Sequence, residues 1–381
     1  MKPLLCLAIL SCLFLPAFGL YVQPEIKDVP LKRLLANLTA RVEAKPGDAS
    51  AHHHLARAHA MAYARKLADA EAVKSWAGWQ GKGPLQPWFG FEPPHLPFQK
   101  VAATNDPGKL KAARAHLAAA IASYRKALAA KPDTTIKLGL AWCRDQAGNK
   151  KAALAGYRDV AAAAWKSENK SGAGGLKPFV FVETAGYLLP LLDATTDAAE
   201  IKDIEARRKK LLALPRAVTP LVVPLTAHAT DLASLIDSEA RVRFDLDGTG
   251  RQLEWPWIAP SSAWLVYDPR NTGRITSALQ MFGTRSFLLF CSDGYEALAL
   301  LDDDRDGSLR GPELKGLALW RDRDADGISS SGEVKPVTEF GITSLSTRGE
   351  PHQSGIPYSP AGVTFDDGTT RPTYDLVLES R

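Results

Sequence analysis

From Leu31 to about Leu214, apolar residues, largely alanine and leucine, recur three and four positions apart. That spacing lays an apolar stripe along one face of a helix and predicts a mainly α N-terminal half. The period breaks at "PRAVTPLVVPL", where prolines exclude a continuing helix and the Val222-Val223 core suits an extended strand. Beyond Arg241 the apolar runs are short and punctuated by Asp/Gly clusters. The division this predicts is a helical domain over 28–214, a Pro-rich linker over 215–240 and a smaller module over 241–381.

Within the helical half a rhythm repeats. Ala120, Tyr124, Ala127 and Pro132 are followed by Gly148, Ala153, Tyr157 and Val160, and His52, Leu55, Ala56 and His59 follow Pro46 at the spacing of a first helix. These offsets resemble the tetratricopeptide repeat, in which small residues let two antiparallel helices approach and an aromatic wedges between successive pairs. Its best copy is "DTTIKLGLAWCRDQAGNKKAALAGYRDV", with Leu140-Ala141 standing where that family has Leu-Gly. The resemblance implies a helical scaffold with a concave surface for an unidentified protein or peptide partner. An insertion over about 76–108 departs from the family. It carries Trp76, Trp79, Trp88, Phe89, Phe91 and Phe98 among prolines and glycines, and suits either a loop folded over the helices or a platform for a peptide or glycan.

The most specific signals lie near the C-terminus. Two twelve-residue loops, Asp302 to Glu313 and Asp322 to Glu333, place Asp at the first, third and fifth positions, Gly at the sixth and Glu at the twelfth. A hard cation needs about six to eight oxygens, and this spacing supplies them. The expected ligands are Asp302, Asp304, Asp306, the Ser308 carbonyl and Glu313 in one loop. In the other they are Asp322, Asp324, Asp326, the Ile328 carbonyl and Glu333. The implied cofactor is Ca2+. A weaker signal, Asp245, Asp247 and Thr249 in "FDLDGTG", is a turn first and a cation site second.

Read with "LVYDPRNTGRI", "MFG", "DGYEALALLDDDRDG", "LALWRDRDADGISSSGEV" and "FGITSLS", these loops resemble the calcium-binding module of haemolysin/RTX-associated proteins, with relatives among EF-hand and dockerin loops. The resemblance implies a small α+β, EF-hand-like domain. Arg270 stands where that pattern has Asn or Asp, and Leu279 and Gln280 replace the closing carboxylate, so the Asp268 loop is expected to hold no cation. The two full loops begin 20 residues apart, which predicts one short joining helix from Pro312 to about Trp320, with Leu314, Leu317 and Trp320 on its buried face.

Charge sharpens the division. The net charge of +5 conceals 31 Lys and Arg against 18 Asp and Glu over 21–216, and 15 against 24 over 217–381. The basic surplus is scattered over helix faces, which argues against nucleic-acid binding. Met1-Lys2, an apolar run from Leu4 to Leu15 and Ala17-Phe18-Gly19 form a secretory signal over 1–19, with a lipoprotein signal at Ser11-Cys12 as the alternative. No later stretch is long and apolar enough to span a bilayer, so the expected location is secreted, periplasmic or cell-surface.

Cys143 and Cys291 are expected as buried apolar residues. The His52-His53-His54 run with His59 has no Cys or carboxylate at ligand spacing and is expected to pack. Glu183 and the 205–210 cluster are expected on solvated helix surface. Hydrolase motifs are absent from the sequence, so a non-enzymatic role is expected. The alternatives are a docking module of an extracellular assembly, or calcium-dependent self-processing at Asp268-Pro269.

Overall fold

The structure, a computed structural model, describes residues 29–66, 104–169, 179–214, 217–226, 232–248 and 252–380. The signal segment over 1–19 and nearly all of the aromatic insertion lie outside the described residues.

Among the described residues, seven α-helices form the N-terminal part: α1 (Leu31–Ala44), α2 (Ala49–Arg65), α3 (Pro107–Ala130), α4 (Thr134–Gln146), α5 (Lys150–Glu168), α6 (Val180–Leu188) and α7 (Ala198–Leu212). Their starts are written locally. Asp48, Asp106, Asp133 and Asn149 each accept a hydrogen bond from a free N–H of the first turn, and Pro107 sits where a missing donor costs nothing. Each helix packs on the next in chain order. The small–aromatic–small residues named above face inward, with Ala120, Tyr124, Ala127, Ala153, Tyr157 and Val160 all fully buried. Glu183, expected at the surface, is buried instead, and its carboxylate accepts a 2.5 Å hydrogen bond from the Tyr187 hydroxyl. The reason is α6 itself, whose nine residues are all buried, leaving no solvated face.

Strands β1 (Ala217–Val218), β2 (Leu221–Pro224), β3 (Ile236–Phe244), β4 (Leu253–Ile258) and β5 (Ser262–Tyr267) follow. After α8 (Gly294–Ala299) come β6 (Ser308–Arg310), β7 (Leu317–Trp320), β8 (Val334–Pro336), β9 (Ile342–Ser346), β10 (Glu350–Pro351), β11 (Pro357–Phe365), β12 (Thr370–Asp375) and β13 (Leu378–Glu379). Nine of them form one antiparallel sheet in the order β6-β9-β11-β12-β2-β5-β7-β8, with β10 added to β11. β3 and β4 make a separate hairpin, and β1 pairs with β13.

The expected small α+β, EF-hand-like domain is therefore overturned: the C-terminal half is a strand-rich antiparallel sheet. The expected helix from Pro312 to Trp320 is also replaced. A 3₁₀ turn over Gly311–Leu314 ends at Gly316, whose φ of 88° stops a helix, and β7 follows. Leu-Ala-Leu-Trp is apolar throughout because β7 is covered on both faces, and such a run does not distinguish a buried strand from a helix. The passage expected as linker contributes β2 to the middle of the sheet.

Alternate side chains of the central strands enter two different cores. Leu221, Val223, Ala263, Leu265, Leu317 and Leu319 pack with α1, α2 and the 282–301 segment. Val222, Trp264, Val266, Ala318 and Trp320 pack against the β3–β4 hairpin, with Phe244, Trp255 and Trp257. The result is three layers, helices on sheet on hairpin, with α2 also facing the core of the helical stack. This arrangement is dense. A Cβ at Gly139 would stand 2.3–2.5 Å from the ring of Tyr124, which is itself fully enclosed. Gly139→Ala is expected to destabilise the chain by about 1–3 kcal/mol in urea unfolding.

Candidate metal centres

The two acidic loops flank β7. One enters it through the 3₁₀ turn, and the other leaves it for β8. Their internal frames correspond position by position. At the first position, Asp302 Oδ2 accepts from Gly307 N and Asp322 Oδ2 from Gly327 N, both at 2.9 Å. At the fifth, Asp306 accepts from Ser308 N at 2.8 Å and Asp326 from Ile328 N at 2.6 Å. At the twelfth, Glu313 accepts from the backbone of Asp303 and Arg310, and Glu333 from that of Arg323 and Ser330, the second and ninth positions in each loop. Arg305 and Ala325, both at the fourth position, have left-handed φ of 64° and 56°, ahead of Gly307 at 93° and Gly327 at 73°.

This folding brings one carboxylate oxygen each from Asp302, Asp304 and Asp306 within 4.8 Å of one another, and likewise from Asp322, Asp324 and Asp326. Each group could hold a metal ion. Three carboxylates this close repel one another, and a bound dication removes that repulsion. Glu313 and Glu333 are not among these groups of three. Ser308 lies in β6, and Ile328 exposes its side chain, at 64% of its full area, beside the second group.

The surroundings of the two groups differ. The first docks on α1: Arg33 and Asn37 donate to Asp303 Oδ1 at 2.7 and 2.8 Å, and Arg305 donates to the Ala40 carbonyl. Burial raises the Asp302 carboxyl above its ordinary range. The second sits on the hairpin core, where Trp257 Nε1 donates to Asp322 Oδ2 at 2.7 Å. Burial pushes Asp322 up to about 6, and the Glu333 carboxylate adds to the shift while the Gly327 N–H and the indole N–H oppose it. Sequence reasoning missed Trp257, Arg33 and Asn37, for each is far from its loop in the chain and belongs to no motif.

At the remaining signals the carboxylates of Asp245 and Asp268 accept hydrogen bonds from nearby groups. Asp245 is buried and accepts from Ser277 Oγ at 2.5 Å, Asp247 is buried beside it in sequence, and Thr249 lies outside the described residues. Among the described residues neither aspartate joins a group with ligand geometry. Asp268 accepts from Thr272 N, Thr272 Oγ1 and Gly273 N, so its carboxylate closes its own turn. Its loop faces the second acidic loop, where Ser329 Oγ accepts from Ile275 N at 2.8 Å. The eighth positions of the two loops thus meet. Leu309, the eighth residue of the first loop, is buried and pairs with Leu345. Among the described residues no helix is long and apolar enough to cross a membrane.

A family model described as the SPM domain matches residues 222–379. This span starts in β2 and ends in β13, and so takes in both acidic loops. Among curated proteins the chain is similar to the iron-regulated protein FrpA of Neisseria meningitidis serogroup C, at 29% identity over 145 residues. That similarity covers 35% of this chain and 13% of the length of FrpA.

The raised Asp322 carboxyl makes cation binding at its loop compete with a proton. Protonated Asp322 favours the cation-free fold fully below its usual 3.8, and that contribution disappears as pH rises through about 6. Cation affinity at this loop is expected to be level above pH 7 and to fall by about tenfold per unit below pH 6. Titrations of the full chain across that range measure this, and an unchanged affinity down to pH 5 would remove Asp322 from the ligand set.

Proposed function

We propose that this chain is an exported, non-enzymatic calcium-binding protein whose helical stack engages a protein or peptide. The carrying observation is the matched frame of the two acidic loops, each gathering three carboxylates from alternate positions. A donor set made only of oxygen suits a hard cation, and calcium tolerates the irregular geometry better than magnesium does. On this reading the loops belong with the calcium loops of haemolysin/RTX-associated proteins. The similarity to FrpA, limited to a small part of that protein, is compatible with this assignment. The twelfth-position glutamates complete the sphere with the Ser308 and Ile328 carbonyls.

Calcium here acts on stability. It neutralises an acidic loop at each end of β7, and through Asp303 and Arg305 it supports the seating of α1 on the sheet. Outside a cell, calcium is abundant enough for dissociation constants on the order of 10⁻⁴–10⁻³ M. Consecutive packing of α1 to α7, with small and aromatic residues at the helix contacts, supports a tetratricopeptide-like scaffold as the partner-binding part. Self-processing at Asp268-Pro269 is disfavoured because the Asp268 carboxylate already accepts three hydrogen bonds from its own turn.

Calorimetric titration of the full chain tests this. Two calcium equivalents are expected, with Asp302→Ala and Asp322→Ala each losing one, and the melting temperature should rise with calcium. A melting temperature indifferent to both calcium and chelator would refute the reading. The intact mass is expected to stay constant on incubation with calcium, and a fragment beginning at Pro269 would instead establish self-processing.

A further inference from the structure

Packing of the helices on the sheet gathers a second kind of donor set, remote from the acidic loops. His54 of α2, Cys291 and Glu296 of α8 each place one ligand atom within 4.8 Å of the other two. Nitrogen, sulfur and oxygen thus meet where the helical stack joins the sheet. His54 Nδ1 is buried, has no hydrogen-bond partner, and stands 3.9 Å from Glu296 Oε1. An unsatisfied buried imidazole nitrogen facing a carboxylate calls for a third party, because each such group is costly to leave bare.

His54 is in its ligating form, whereas Cys291 must lose a proton to bind an ion. Burial holds His54 below its ordinary value, so the imidazole is neutral with a lone pair to give. Glu296 is oriented by two donors: its Oε2 accepts from the Ser292 N–H at 2.7 Å and its Oε1 from the Ser50 hydroxyl at 2.5 Å. Burial drives the Cys291 thiol well above its usual range, so without an ion it keeps its proton. Just before Cys291, Phe287, Leu288 and Phe290 adopt left-handed φ of 52°, 58° and 58°, and Arg57 Nε ties down the Leu288 carbonyl at 2.7 Å. Bulky residues hold such angles only where the surroundings over-determine them, and here they aim Cys291 at α2.

We infer that His54, Cys291 and Glu296 form a binding site for a borderline-soft divalent d-block ion of the zinc class, clamping α2 to the sheet half. A hard cation such as calcium prefers all-oxygen donors and is a poor match for thiolate and imidazole. Zinc–sulfur and zinc–nitrogen bonds of about 2.3 and 2.0–2.1 Å put tetrahedral ligands roughly 3.3–3.8 Å apart, so the present cluster needs only a small inward closure. Binding releases the Cys291 proton to solvent. The dication with one thiolate and one carboxylate is then neutral, so Arg41, 4.0 Å from Glu296 Oε1, meets no net positive charge there. Glu296, with 14% of its side chain exposed against 1% for His54, marks the side from which the ion and a fourth, water ligand enter.

Cobalt(II) is the probe, because a thiolate bound to it gives a near-ultraviolet charge-transfer absorption that oxygen ligands do not. The full chain, with calcium in excess to fill the acidic loops, is expected to take up one equivalent of cobalt with that absorption, and zinc should displace it. Cys143→Ala should keep the absorption, whereas Cys291→Ala should lose it while still melting cooperatively. Glu296→Gln, which retains the thiol, should weaken cobalt binding at least tenfold. Folded wild-type protein that shows no thiolate absorption would overturn the inference without recourse to any variant, and so would absorption that survives Cys291→Ala.

Discussion

Strand β7 is the constraint on which the C-terminal half turns. Its four residues are buried on both faces, and an acidic loop stands at each end of it. Leu317 and Leu319 enter the core shared with the helices, and Ala318 and Trp320 the core shared with the hairpin. Any displacement of β7 therefore disturbs two cores together. Mutual repulsion among Asp302, Asp304 and Asp306 at one end, and Asp322, Asp324 and Asp326 at the other, acts on this strand. Each of the two groups could hold a cation, and a cation there would turn a repulsive loop into an anchor.

The loops also connect the layers. Through Asp303 and Arg305 the first touches Arg33, Asn37 and Ala40 of α1, so its order is coupled to the seating of the helical stack. Through Asp322 the second touches Trp257 of the hairpin, whose ring packs against Phe244, Trp264 and Trp320. Between them, the two loops reach both outer layers from the middle one. The acidic loops are thus junctions of the architecture, in contact with α1 on one side and the hairpin on the other.

Much of the helical half was legible in the chain. The period of alanine and leucine, the Asp and Asn caps and the inward Tyr124 and Tyr157 all act within one or two turns, so local sequence carries them. The loop aspartates were legible for the same reason, because alternate positions and a glycine turn suffice to gather Asp302, Asp304 and Asp306. The sheet was not. Its strands are short, several are apolar without alternation, and the order β12-β2-β5-β7 joins segments far apart in the chain. Leu317 and Trp320, spaced as on a helix, show the ambiguity: a strand covered on both faces has no polar side to betray its period.

The sequence by itself determined which residues gather in each acidic loop and where the helices begin, since both depend on neighbours along the backbone. Only the tertiary structure decided what those elements meet. It set Trp257 on Asp322, Arg33 on Asp303, and Cys291 and Glu296 on a histidine run that had no ligand partners at any local spacing. The physical reason is range. Caps and turns are settled by hydrogen bonds across a few residues, whereas burial of a two-faced sheet is settled by whichever distant surfaces come to cover it.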